Sequence, residues 1–120
     1  MTPDELQTLI EDATADYALG ESAEALRKLA TATAAHPDSF EAWHAAAEVN
    51  FSLRQLDAAL TAAETARALR PDDLFINTTL SRIWMERGDK PKAEHFGAQA
   101  RMADWKQQLK GTPPPPDRAR

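Results

Sequence analysis

The chain has 120 residues, enough for one domain that folds around a single core without needing a disulfide or a metal. Its 42% hydrophobic and 28% charged residues belong to a globular protein, and a net charge of −5 without a Lys/Arg cluster argues against binding nucleic acid, which needs cations to displace counterions from phosphates. The absence of cysteine excludes disulfides, thiolate zinc sites and thiol nucleophiles.

The first residues, MTPDELQTLIED, lack the basic segment and apolar run of a signal peptide, and no stretch approaches the roughly 18 apolar residues of a membrane span. The expectation is a cytoplasmic protein with no membrane insertion. A first helix is predicted over about 3–19, opened by Thr2-Pro3-Asp4-Glu5, which supplies a capping hydroxyl, a proline at the first helical position and a glutamate to close a capping box. Gly20 suits the left-handed turn into a second helix over about 22–36. Asp38 with Glu41 repeats the capping device before a third helix at about 39–53, and Arg54 stands where the first unit has its turn glycine. Keeping that turn would strain Arg54 by about 1 kcal/mol. Further helices are expected at about 56–70, at about 73–87 behind a cap by Asp72 or Asp73, and at about 90–109 after Gly88. The remaining stretch, GTPPPPDRAR at 111–120, cannot continue a helix, because its four consecutive prolines offer no amide donors, and is expected to be a disordered tail.

These elements recur with a fixed period. Pro37 and Pro71 lie 34 residues apart, and the same offset relates Ala25, Ala59 and Ala93, then Ala32, Ala66 and Ala100, then Ala13, Ala47 and Ser81. Leu6, Phe40 and Leu74 share it, as do Tyr17, Phe51 and Met85. A period of this length holding two helices and a turn is the signature of stacked helix pairs.

The middle unit, FEAWHAAAEVNFSLRQLDAALTAAETARALRPDD, has Trp43, Ala47, Ala59, Ala66 and Pro71 in the register W-x2-L-G-x2-Y, A-x3-F, P, with Ala46, Asn50 and Ala63 departing from it. Unit three contributes Leu80, Ser81, Trp84, Gly88, Ala93 and Ala100, and unit one contributes Leu9, Ala13, Gly20, Ala25, Leu29, Ala32 and Pro37. The chain thus resembles the tetratricopeptide repeat family over nearly all of its ordered length. The resemblance implies an all-α fold, a right-handed α-solenoid of three antiparallel helix pairs with an extended last helix. The domain would cover 1–110, with repeats at about 6–39, 40–73 and 74–107. Because the shared residues hold helices together, they specify fold far more than function.

Catalytic chemistry finds no support in the sequence. His44 and Glu48, spaced i, i+4, can share a helix face, but two ligands fall short of the roughly four of a closed zinc site, and neither His36 nor His95 joins a ligand motif. No nucleophile and base stand in a recognisable motif, and no glycine-rich phosphate loop is present, so the expectation is no enzyme, no metal and no cofactor. Trp43 and Trp84 are read as packing between helices.

In the family the first helix of each unit lines a concave groove. The resemblance places there Ile10, Thr14 and Tyr17, then Glu41, His44, Glu48 and Phe51, then Phe75, Thr78, Arg82 and Met85. Apolar side chains among carboxylates suit a protein or peptide partner of basic or amphipathic character, and the expected function is a non-catalytic adaptor or chaperone-like module. Relatives that clamp an acidic C-terminal tail use lysine, asparagine and arginine where this chain has Ile10, Thr14, Ala45, Phe75 and Thr79, so that ligand is not expected. Secretion chaperones with three such units form a further analogy, although they carry an added helix before the first repeat. The alternative function is a self-assembling scaffold. Solenoid ends need a cover, and apolar surface around Leu80, Trp84, Phe96 and Trp105 would make homo-oligomers end to end unless Trp105 folds back as a lid.

Overall fold

The computed structural model describes residues 1–111, which form six α-helices: α1 (Pro3–Ala18), α2 (Ser22–Ala35), α3 (Phe40–Ser52), α4 (Leu56–Leu69), α5 (Leu74–Glu86) and α6 (Lys90–Gly111). Helices α1 and α2, α3 and α4, and α5 and α6 pack as antiparallel pairs, and the pairs stack through α2 on α3 and α4 on α5. Contacts of α1 with α3 and of α3 with α5 align the first helices side by side, giving an α-solenoid of three pairs. Helix α6 continues through Gly111, where the tail was expected to begin, and residues 112–120 lie outside the described residues.

The 34-residue period is the packing code. Ala25, Ala59 and Ala93, with Ala32, Ala66 and Ala100, are all buried, as are Ala13 and Ala47. A methyl group at these positions lets helix backbones approach, while Leu29, Ile76, Leu80 and Ile83 fill the space between them. The third member of the small triplet, Ser81, donates from Oγ to the Ala93 carbonyl at 2.7 Å. Beside it, a Cβ on Gly97 would lie only 3.3 Å from Ser81 Oγ, so α5 and α6 cross too closely for a larger residue to enter freely.

Each first helix ends in the same way. The amide of Glu21 bonds the Asp16 carbonyl, Gln55 that of Asn50 and Asp89 that of Trp84, the long bond of a Schellman motif. The residue just before each closure has positive φ: Gly20 at 84°, Gly88 at 84° and Arg54 at 64°. Arg54 therefore keeps the turn at a steric cost that its two glycine counterparts avoid. Its guanidinium then reaches Glu86 at 3.0 Å, tying unit two to unit three.

Helix starts follow the expected chemistry with one correction. Thr2 and Glu5 form the reciprocal capping box, and Asp73 Oδ1 accepts from the Ile76 amide at 2.9 Å. The cap of α3 is Ser39 rather than Asp38, its hydroxyl accepting from the Ala42 amide at 3.2 Å. Asp38 lies one residue too early to reach the first free amides of a helix that begins at Phe40.

The two residues after which the units are stitched also repeat. Trp43 Nε1 donates to the Pro37 carbonyl at 2.8 Å, and Asn77 Nδ2, one period later, donates to the Pro71 carbonyl at 2.9 Å. Trp43 is half-buried against the core, which makes it a packing residue with a polar tether. Asn77 is fully buried and satisfied, also accepting from Arg67 Nε at 3.2 Å. No helix among the described residues is long and apolar enough to cross a membrane.

Candidate partner-binding groove

The first helices α1, α3 and α5 carry the expected groove residues, and six of these line one recess between α1 and α3. Ile10, Thr14 and Tyr17 meet Glu41, His44 and Glu48 around a recess of about 400 Å3, floored by Leu29, Ala45 and Val49. Its lining is mainly apolar, with carboxylates and an imidazole at the rim. Thr14 leaves this space open because its hydroxyl donates to the Ile10 carbonyl of its own helix at 2.9 Å. Tyr17 closes one edge through a short hydroxyl contact with Ser52.

Between α3 and α5 the corresponding space is occupied by polar side chains. Thr79, one period after Ala45, places its hydroxyl 2.9 Å from Glu48 Oε2 and 3.4 Å from His44 Nε2. That hydroxyl has one proton, and the Phe75 carbonyl, also at 2.9 Å, is the competing acceptor. Donation to the charged carboxylate is the stronger choice, and it leaves the Thr79 oxygen able to accept from His44. Arg82 completes the array at 3.3 Å from Glu48 Oε1, its guanidinium lying 4.6 Å from the centre of the Phe51 ring. His44 and Glu48, spaced i, i+4, are thus joined through a threonine.

Glu41 is also held, by Arg70 at 3.0 Å, and Arg70 lies over the Phe40 ring at 4.4 Å. The groove carboxylates Glu41 and Glu48 are therefore each matched by an arginine from the same or the following unit, so opposite charges alternate there. Phe75, Thr78 and Met85 are exposed on α5 and do not line the recess. Glu86, beside Met85, has its carboxyl held below its ordinary pKa by the hydrogen bond from Arg54. Leu29, Ala45 and Val49 were not among the expected groove residues. The smallness of Ala45 beside Thr79 at the equivalent position was the available signal for an opening there.

The expected apolar end is largely covered from within. Leu80 is fully buried, because α6 lies across α5, and so it cannot form an assembly surface. Phe96 is half-buried with the Arg67 guanidinium 5.2 Å from its ring centre, while Trp84 is flanked by Arg87 at 5.3 Å and Lys92 at 4.2 Å. Trp105 alone of the four is widely open to solvent, so it does not fold back as a lid.

The chain matches no family model, and no curated protein matches it by sequence. Solved structures match its fold. The type III secretion translocator chaperone SycD of Yersinia enterocolitica superposes with a TM-score of 0.81 at 15% identity, covering 85% of this chain and 77% of its own. The crystal structure of MamA gives 0.81 at 17% identity over 86% of this chain, and a chain of the CopN–Scc3 complex gives 0.80 at 14% over 86%. This chain spans only 60% of that MamA chain and 61% of the chain from the CopN–Scc3 complex. These neighbours are helical-repeat proteins of the tetratricopeptide type, and at such identities the likeness defines the fold: a tetratricopeptide-like α-solenoid.

Proposed function

We propose that the chain is a non-catalytic protein-interaction module of adaptor or chaperone-like type, holding a peptide or helix of another protein in its concave groove. The observation that carries this reading is the recess of about 400 Å3 between α1 and α3, with an apolar floor of Leu29, Ala45 and Val49, Ile10 at its wall and charged groups around it. A site of this size and polarity can take one large apolar side chain while its rim bonds the flanking backbone or polar groups. Because Glu41 and Glu48 already face arginines, an amphipathic segment with an apolar anchor fits better than a simply basic one. A prefolded solenoid also spends little conformational entropy on binding. The association of two of the structural neighbours with protein partners, a translocator in the name of one and CopN in that of another, supports a protein ligand.

Ala45→Phe tests the reading directly, since it fills the recess from its floor without removing any existing packing. Pull-down from native lysate, followed by titration of the captured segment, should show binding weakened by about tenfold or more, with the circular dichroism melt nearly unchanged. Equal capture by wild type and variant would reject the recess as the binding site.

A further inference from the structure

We infer that the chain associates with copies of itself head to tail, the protruding end of α6 in one copy docking on the outer face of α1 in the next. This contact lies away from the groove and stands independently of the groove's function. At 22 residues α6 outreaches the 13-residue α5 by roughly 13 Å of helix rise, and it packs its backbone against α5 alone. On its outward side Met102, Trp105 and Leu109 are 51%, 64% and 60% exposed. Their i, i+3, i+7 spacing gathers them into one stripe, bordered by Arg101 and Lys106. Among the described residues neither cation is in an ion pair.

The opposite end has the complementary chemistry. Positions that are buried in the inner units, Ala42 with Ala46 and Ile76 with Leu80, correspond one and two periods earlier to Thr8 and Asp12 of α1, which are exposed among the described residues. Here Met1, Leu9 and Thr8 line a recess of about 400 Å3 edged by Asp4, Glu5 and Asp12. Helix α1 carries five acids and no lysine or arginine, of which only Asp16 is ion-paired, to Lys28 at 2.6 Å. Helix α6 carries Lys90, Lys92, Arg101, Lys106 and Lys110 against Glu94 and Asp104. An apolar centre with a cationic border thus faces away from one end, and an apolar-floored recess with an anionic border from the other. Pairing two α6 stripes would instead set cations against cations, so charge selects the unlike ends of two copies. Such a contact is heterologous and leaves a free end on each side, which allows growth beyond a dimer.

The test uses light scattering behind size exclusion on the full chain, from about 10 to 500 μM at low salt. Wild type should grow in mass with concentration and shrink as salt rises from about 50 to 500 mM. Trp105→Asp and the double variant Asp4→Lys with Asp12→Lys should each remain near the 13.2 kDa of one chain, with unchanged circular dichroism. Mixing the two variants should restore a 1:1 species of twice that mass that grows no further, because each supplies the end that the other lacks. A monomeric wild type across the range overturns the inference, as does association that survives Trp105→Asp. Wild-type association with no heterodimer in the mixture overturns it too, by assigning the contact to like ends.

Discussion

The two inter-unit spaces of the groove are built from the same helix arrangement, and three of the side-chain differences between them decide which one stays open. Between α1 and α3, Thr14 turns back to its own helix and Ala45 offers a methyl group, so a recess of about 400 Å3 remains. Between α3 and α5, the residues one period later are Glu48 and Thr79, with Arg82 one period beyond Glu48, and these three bond across the units. Repetition of small core residues fixes how the pairs stack. The groove-facing positions differ between units, and there one junction keeps an open recess while the other is bonded shut.

The largest test of this contrast is in the core beneath the two junctions. Leu80→Ala removes a fully buried side chain under the riveted junction and is expected to cost about 3–5 kcal/mol in urea unfolding, whereas Ile10→Ala, at the wall of the open recess, should cost about 2 kcal/mol because the space left merges with one already reached by solvent. Equal losses would mean that the recess is closed in solution. Next in size is Glu48→Ala, which strips Thr79 and Arg82 of their shared acceptor. Its expected cost is about 1 kcal/mol, because the Thr79 proton falls back on the Phe75 carbonyl and what is lost is the charge assistance of one hydrogen bond together with a half-exposed ion pair. A loss below about 0.5 kcal/mol would demote the rivet to a surface decoration.

Much of the scaffold was legible because it is written with a period. The alanines at 25, 59 and 93 and at 32, 66 and 100 are buried as the repeat implies, and the positive φ of Arg54 follows from its alignment with Gly20 and Gly88. Legibility fell where an outcome depends on one residue of register, as with Ser39 rather than Asp38 as the cap of α3. It fell further where long side chains meet across units. Arg70 reaches Glu41 over a separation of 29 residues, and Arg82 reaches Glu48 over 34. Those pairings depend on rotamers that periodicity does not encode, so the arginine partners of Glu41 and Glu48 were not visible in the sequence. The end of the stack misled for a related reason: Leu80 is apolar at a terminal unit, but α6 itself supplies the cover.

The smallest effect concerns the other tie between units two and three, Arg54 with Glu86. Arg54→Gly removes a backbone strain of about 1 kcal/mol and loses only an exposed ion pair, so a small net stabilisation is expected in urea unfolding. The carboxyl of Glu86 gives a separate readout. Its pKa is lowered in the folded chain by the Arg54 hydrogen bond, so the pair's contribution is present above the ordinary value of 4.5 and is lost as pH falls through the lower folded value. In Arg54→Gly the Glu86 carboxyl resonance should titrate closer to 4.5, and the acid limb of stability should lose that small component. An unshifted titration would show that the guanidinium does not hold this carboxylate in solution. A net destabilisation would show instead that the tie to Glu86 outweighs the strain of its turn.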